Sequence, residues 1–229
     1  MNELLWFSML VASLTMVLVF YKLFGKVGLF VWIPIGTIVA NIQVIKIVEL
    51  FGFQTTLGNI VYASLFLATD ILSENHGPKD ARKGVAIGFL TLVSLTGLMN
   101  LALWFQPGTA DSAHGSLAEI FTMMPRLALA SALAYCLSQT HDVAAYQFWK
   151  KRVPGIRAIW LRNNASTVVS QLLDTVVFTF VAFAGLFPWP VILEILWTTY
   201  VLKLLVAVLD TPFIYLARMG RDRGWIPAD

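Results

Sequence analysis

The chain has 229 residues, of which 58% are hydrophobic and only 13% are charged, and its mean hydropathy is +0.75. A soluble domain carries about 25% charged residues, so this composition excludes an ordinary soluble protein. The net charge is +3, and the single cysteine, Cys136, excludes an internal disulfide and a cysteine metal cluster.

Seven apolar stretches follow one another along the chain. Each is near or above the length, about 20 residues, that crosses a bilayer as a helix. They are Leu4–Tyr21, Leu29–Leu50, Thr56–Leu72, Gly84–Phe105, Ser116–Leu137, Ala165–Phe187 and Trp189–Tyr215. We therefore predict an all-α, polytopic membrane helix bundle of about seven spans, forming a single transmembrane domain over residues 1–229.

The positive charges predict an orientation. Of the sixteen Lys and Arg residues, every one outside the predicted spans lies in an odd-numbered connection or in the C-terminal tail. Cationic loops stay on the cytoplasmic side, so we expect the N-terminus outside and the C-terminus in the cytoplasm. The same charges indicate contact with the lipid bilayer and not with nucleic acid.

Glycine and proline mark the predicted connections between spans. Phe51-Gly52-Phe53 turns the chain on the outer side, Asn75–Pro78 breaks it on the inner side, and Phe187–Pro190 joins the last two helices. The segment 141–164 leaves two alternatives. Either Asp142–Lys151 extends the fifth helix, or the segment lies in the membrane interface. Gly84 and Gly88 have the spacing that favours close helix approach inside the bundle.

Ionisable side chains near the middle of the spans are the first candidates for function. A charge there costs at least about 2.5–3.5 kcal/mol, so it is retained where it pairs or lines a cavity. Asp174 lies fourteen residues before Pro188 and Lys203 fifteen after it, which places both near mid-depth in an antiparallel hairpin. We predict that they face each other or a shared ligand. Arg126 also falls near mid-depth, and Gln171 lies about one helical turn from Asp174.

A second polar set is predicted toward the outer half of the bundle. It comprises Asn41, Gln43, Lys46 and Glu49 on the second helix, with Lys46 and Glu49 three residues apart and able to pair. Asn100 on the fourth helix reaches a similar level, and Trp104 offers a flat aromatic surface.

A third set, Asp70, Glu74 and Asp210, lies toward the cytoplasmic ends, where a structural or gating role is expected. For all three sets the alternative is structural, because buried ion pairs and amides also hold membrane helices together.

Enzyme chemistry has no positive signal in the sequence. The chain contains no phosphate-binding loop, no His-Glu-x-x-His zinc motif and no Gly-x-Ser-x-Gly nucleophile, so we expect neither an enzyme nor a cofactor nor a metal site. His76, His114 and His141 are predicted to lie in loops, exposed to water.

Several blocks of sequence together resemble the queuosine precursor transporter family, also called vitamin uptake transporters. The blocks in the first half are Asn41–Lys46, Leu50–Gly52, Thr69–Gly77 and Asp80–Lys83. Those in the second half are Ala130-Ser131, Ala134-Tyr135, Ser138-Gln139, Leu161–Asn164 with Ser166, Gln171, Asp174-Thr175, Ala182-Phe183 with Gly185, Tyr200 with Lys203, and Asp210–Phe213. One departure is His76, where an aromatic residue such as Tyr is expected.

The resemblance implies import of 7-deazaguanine bases such as preQ0 and preQ1, and of queuine, across the cytoplasmic (inner) membrane. A deazaguanine presents a ring N–H beside an amine, and one carboxylate accepts both. Asp174 or Glu49 is expected to take this donor edge. Arg126, Lys46, Asn41 and Gln171 would take the carbonyl edge or order the pocket, and Lys203 would neutralise Asp174 when the site is empty.

Two other functions stay open at the level of sequence. The chain could be the substrate-binding subunit of an energy-coupling-factor type vitamin transporter, or a membrane receptor that transports nothing. The number of assembled chains is also open, and a homodimer is compatible with the sequence.

Overall fold

The computed structural model describes residues 1–152 and 159–227. The chain is an all-α membrane helix bundle with one short β-hairpin. In chain order its elements are α1 (Asn2–Gln43), β1 (Ile47–Leu50), β2 (Phe53–Thr56), α2 (Asn59–His76), α3 (Pro78–Leu103), α4 (His114–Phe121), α5 (Met124–Arg152), α6 (Ile159–Phe183), α7 (Trp189–Leu209) and α8 (Thr211–Asp222).

The first helix doubles back on itself at Gly25. This residue has φ +56°, a conformation that glycine adopts without steric cost, and it interrupts α1. A Cβ built on Gly28 would lie 2.1 Å from the carbonyl oxygen of Phe20, so the two halves touch where glycine leaves room. The rings of Phe20 and Trp32 are 5.5 Å apart, although twelve residues of straight helix would span about 18 Å. Thus α1 contains the first two predicted spans as an antiparallel hairpin.

The second predicted span ends earlier than expected. Helix α1 stops at Gln43, and residues 47–56 form an antiparallel β-hairpin in which Val48 pairs with Thr55. Its two central residues, Phe51 and Gly52, both have positive φ, which is the geometry of a type I′ turn. The predicted turn at Phe51-Gly52 is confirmed, but the prediction that helix continues to Leu50 is wrong.

Two compact units make up the chain. The first comprises residues 1–124 and 202–229, and the second residues 125–201. In the first unit α2 contributes fully buried side chains, including Leu67, Ile71 and Leu72, and it packs against α1 and α3. Helix α3 reaches α1 through Gly84 and Gly88, whose missing side chains would meet Ile33. The predicted role of this glycine pair in close packing is confirmed.

The later predicted spans are subdivided. Residues 114–121 form α4, separated from α5 by a turn, and Asp210 ends α7 so that α8 begins as a new helix inside the predicted last span. Helix α5 runs to Arg152, so Asp142–Lys151 does extend the fifth helix. Arg157, in the same connection, lies outside the described residues.

Four apolar helical segments of the described ranges are long enough to cross a membrane. They are Asn2–Gln43, Pro78–Leu103, Trp189–Val206, and His114–Ser138, which runs through α4 into the first part of α5; Val168–Phe183 is a shorter apolar segment. Because α1 is a hairpin, it supplies two crossings.

Contacts inside the first unit show which connections between helices lie at the same end of that unit. The turn at Gly25, the α2–α3 connection and α8 lie at one end, where Lys26 contacts Asp80 at 3.2 Å and Arg218 pairs with Glu74. The N-terminus lies at the other end, where the Glu3 carboxylate accepts from the Phe51 backbone N–H. This alternation matches the predicted threading of the first spans. Which end faces the cytoplasm stays a prediction.

Candidate functional site

The second unit holds a polar seam between α5 and α6. Arg126 donates to the carbonyl of Val181, Ser138 approaches Asp174, and the His141 ring lies 3.1 Å from the Ser170 hydroxyl. As residue numbers rise along α5, those of their partners fall along α6, so the helices are antiparallel neighbours. The polar side chains that these contacts place between α5 and α6, hereafter the α5–α6 seam, are Arg126, Ser138, His141, Ser170 and Asp174.

Asp174 is the central charge of the α5–α6 seam. Its side chain is half-buried, and it lies inside the apolar helical segment Val168–Phe183. The hydroxyl of Ser138 lies 3.5 Å from one carboxylate oxygen, at the limit of a hydrogen bond. Gln171, one turn earlier, is also half-buried, and its backbone carbonyl accepts from the Thr175 hydroxyl at 2.8 Å. A carboxylate and an amide thus lie on neighbouring turns of one helix.

Helix α7 lies along the other flank of α6. The Tyr200 hydroxyl donates to the Val168 carbonyl at 3.3 Å, and the rings of Phe180 and Trp189 are 6.0 Å apart. Between these two contacts, Glu194 falls within about one turn of the level of Asp174. Glu194 is half-buried. It is a second carboxylate at this level that the sequence analysis missed.

Arg126 caps a helix instead of lying at mid-depth. Its Nε donates to the carbonyl of Val181 at 2.7 Å and its Nη2 to that of Ala184, both at the C-terminal end of α6. These carbonyls have no partner within the helix and carry its negative dipole end, so a guanidinium there is stabilising. The prediction that Arg126 lies level with Asp174 is wrong, because seven residues, about 10 Å of helix, separate Asp174 from Val181.

The second predicted set is only partly helical. Asn41 lies on α1, buried, and its amide donates back to the Thr37 carbonyl at 2.8 Å. Lys46 precedes β1 and Glu49 lies on it, and both side chains are exposed. Their expected pairing on one helix face is therefore wrong, because the helix ends at Gln43.

Asn100 and Trp104 lie near the end of α3. The Asn100 amide donates to the carbonyls of Thr96 and Phe121, which ties α3 to the end of α4. The Trp104 side chain is 80% exposed. The geometry therefore gives Asn100 a connecting role between helices and leaves Trp104 at the surface of the first unit.

The third predicted set lies in the first unit. Asp210 is buried at the start of α8, and it lies near enough to Asp70 of α2 for their charges to repel. Glu74 binds Arg218 of α8, with both side chains largely exposed. An exposed ion pair of this kind stabilises a protein by less than about 1 kcal/mol. The acidic side chains of α2 thus meet the start and the middle of α8.

All three histidines lie on helices, contrary to the expectation that they lie in loops. His76 ends α2, and its Nε2 lies 3.0 Å from the hydroxyl of Tyr21, which also accepts from Asn75. His141 is on α5 in the α5–α6 seam. His114 begins α4, where its backbone N–H and that of Ala113 donate to Asp111; these hydrogen bonds lower the pKa of Asp111.

Lys203 is half-buried on α7 and belongs to the first unit, whereas Asp174 belongs to the second. Their pairing stays a prediction. Within the described ranges no three His, Cys, Asp or Glu side chains are arranged to hold a metal ion.

Sequence comparison identifies the family. The family model described as "Putative vitamin uptake transporter" matches residues 56–217. A protein of Bacillus subtilis (strain 168), "Probable queuosine precursor transporter", is 47% identical over 217 residues, covering 95% of each chain. The chain belongs to this transporter family. The family resemblance carried by the sequence blocks is thereby confirmed.

Two further relatives match a shorter part of the chain. The "Queuosine precursor transporter" of Escherichia coli (strain K12) is 33% identical, covering 59% of this chain and 58% of its own. A "Probable queuosine precursor transporter" of Haemophilus influenzae is 26% identical over 58% of this chain and 54% of its own. No solved structure matches the chain. Family membership and the apolar helices make this an integral transporter of the cytoplasmic membrane, not an enzyme.

Proposed function

We propose that the chain imports queuosine precursors, 7-deazaguanine bases such as preQ0 and preQ1, across the cytoplasmic membrane. The names of the relatives support the transport of a queuosine precursor. The observation that carries the choice of a base is the half-buried carboxylate of Asp174 beside Gln171 in an apolar helix. A carboxylate accepts two parallel hydrogen bonds at once, and a deazaguanine presents two adjacent donors.

In this proposal Asp174 accepts hydrogen bonds from the ring N–H and the exocyclic amine. The Ser138 hydroxyl, 3.5 Å from one carboxylate oxygen, helps to orient the Asp174 side chain. The Gln171 amide donates to the carbonyl edge of the base. Arg126 orders the site by fixing the end of α6. Glu49, being exposed on β1, is the weaker candidate for the donor edge. Lys203 remains the proposed counter-charge of Asp174.

Transport is tested with purified protein in proteoliposomes. Labelled preQ0, preQ1 and queuine are offered with unlabelled base inside, with and without proton or sodium gradients. Counterflow of at least one base supports a self-sufficient carrier. Binding without counterflow would point instead to a receptor or to a binding subunit that needs a partner ATPase.

The role of Asp174 is tested by Asp174→Asn. The amide keeps the shape but donates where the carboxylate accepted, and we expect about 10- to 100-fold weaker precursor binding, from the loss of about 1.5–3 kcal/mol. Glu119→Gln, which removes an exposed carboxylate on α4, is the matched control and should bind like the parent. Unchanged binding and uptake by Asp174→Asn would refute the assignment.

A further inference from the structure

Helix α8 starts where a membrane-spanning helix stops. The apolar stretch Trp189–Val206 of α7 is long enough to cross the bilayer, and α7 ends at Leu209. Asp210 makes a bend, and Pro212 lies in the first turn of α8. Because only one residue separates the two helices, α8 begins directly where the apolar helix α7 ends.

One side of α8 belongs to the core of the first unit. Ala217 is buried, and Phe213, Ile214 and the later Ile226 pack against the core cluster. This side fixes the helix on the bundle through α1 and α2. The remaining surface of α8 therefore faces away from the core of the first unit.

A second apolar surface of α8 is left uncovered. Tyr215 is 71% exposed, Leu216 48%, and Trp225, just beyond the helix, 53%. Large exposed apolar side chains at the end of a membrane span indicate a contact with the surrounding medium. At the end of a membrane span, the acyl and headgroup boundary is the medium that accepts Tyr, Trp and Leu together.

Positive charge flanks this apolar surface. Arg218 pairs with Glu74, but Arg221 and Arg223 are exposed, and neither forms an ion pair within the described ranges. The Arg223 guanidinium lies 5.1 Å from the centroid of the Trp225 ring. An arginine beside an exposed aromatic residue can contact a lipid phosphate while the aromatic ring enters the apolar layer.

We propose that α8 is an interfacial helix that binds anionic phospholipids. Tyr215, Leu216 and Trp225 enter the acyl boundary, and Arg221 and Arg223 contact the phosphate groups. This surface is separate from the α5–α6 seam, and the proposal does not depend on which base is transported.

The test uses the full chain in lipid nanodiscs. Cys136→Ser removes the single cysteine, and Tyr215→Cys carries an environment-sensitive fluorophore. Nitroxide-labelled phosphatidylglycerol or phosphatidylcholine serves as quencher at equal density. We expect stronger quenching by phosphatidylglycerol, corresponding to roughly tenfold local enrichment, and loss of that preference in Arg221→Gln/Arg223→Gln.

Lys79→Gln/Lys83→Gln removes the same charge from exposed positions of α3 and should leave the preference intact. Equal quenching by the two lipids, or no quenching by either, overturns the proposal. A second measurement, the Tm of unlabelled protein, tests the proposal even if the fluorophore-labelled variant does not fold. Phosphatidylglycerol should raise the Tm of the unlabelled parent and of the α3 variant, but not that of the α8 variant; equal shifts in all three also overturn it.

Discussion

At the scale of single residues, Arg126 illustrates how one charge in an apolar chain is compensated. Its guanidinium has five N–H donors and no acceptor, and backbone carbonyls at the end of α6 take two of its bonds. The same interaction satisfies carbonyls that the helix itself leaves without partners. The charge therefore holds the two helices together whether or not a ligand is bound.

Arg126→Gln should lower thermal stability strongly. Hydrogen bonds from a charged donor contribute about 1.5–3 kcal/mol, and here two are lost or weakened. Arg126→Lys keeps the charge but lacks the paired N–H donors of the guanidinium. Its Tm should lie between those of the parent and Arg126→Gln. The measurement is Tm in detergent, together with precursor affinity at a temperature where all variants are folded. A large loss of affinity at unchanged Tm would instead make Arg126 a ligand contact.

Tyr21 connects the first hairpin to the end of α2. Its side chain is 1% exposed, and its hydroxyl meets both Asn75 and His76. Tyr21→Phe keeps the ring packing but removes this shared partner, so we expect a loss of about 1–3 kcal/mol of stability. Tyr62→Phe removes a hydroxyl from a more exposed position on α2 and is the matched control. Equal Tm values for both variants would show that the buried contacts contribute little.

At the scale of elements, the packing of α3 depends on where its glycines lie. A Cβ on Gly84 would approach Ile33 at 2.8 Å and Leu72 at 3.0 Å, whereas one on Gly97 would meet nothing within 4 Å. Both glycines are in the same apolar helix. They differ only in the neighbour they face.

Gly84→Ile should destabilise the protein by about 1–3 kcal/mol through overpacking between α3, α1 and α2. Gly97→Ile, on the exposed side of the same helix, should leave Tm unchanged or raise it, because glycine is the poorer helix former. Thermal unfolding followed by size-exclusion chromatography measures both. A Gly97 variant that loses as much as the Gly84 variant would indicate that the exposed side of α3 is also a packed interface.

At the scale of the whole molecule, the alternating connections predict which end faces the cytoplasm. In a Cys136→Ser background, Ser112→Cys tests the α3–α4 connection and Asp222→Cys tests the end of α8; both positions are exposed. We expect a membrane-impermeant thiol reagent added to intact cells to label only the cysteine at position 112. Labelling at position 222 alone would reverse the predicted orientation, and permeabilised cells provide the control in which both react.

Much of the helical layout could be predicted from sequence, and particular local features could not. The breaks at Gly25, Gly77 and Phe51-Gly52 follow from residues that permit positive φ or tight turns. The β-hairpin was missed because Ile47–Leu50 is as apolar as the helices beside it. Its signal was the β-branched residues Val48 and Thr55 flanking the turn. The break at Asp210 was missed because the apolar pattern continues through it to Tyr215.

The candidate site divides in the same way. Asp174 and Gln171 could be singled out because polar groups in a membrane segment are costly wherever the chain folds. Ser138 and His141 could not, because hydroxyls and loop-like histidines carry no such signal until a neighbouring helix is placed beside them. Glu194 carries the same signal as Asp174, since it lies inside the predicted span Trp189–Tyr215, and it was overlooked. Arg126 was noticed but misplaced, since its partners are backbone carbonyls, which every sequence contains.

Composition by itself determined that this is an integral membrane protein, because its apolar surface exceeds what a soluble fold of this length can bury. Its sequence blocks determined the family. Only the tertiary structure decided that α1 is a hairpin, that Arg126 caps α6, and that α8 leaves an aromatic, arginine-flanked surface uncovered. The physical reason is that burial and hydrogen-bond partners belong to pairs of segments, and the lipid-facing helices are too uniformly apolar for one segment to reveal its neighbour.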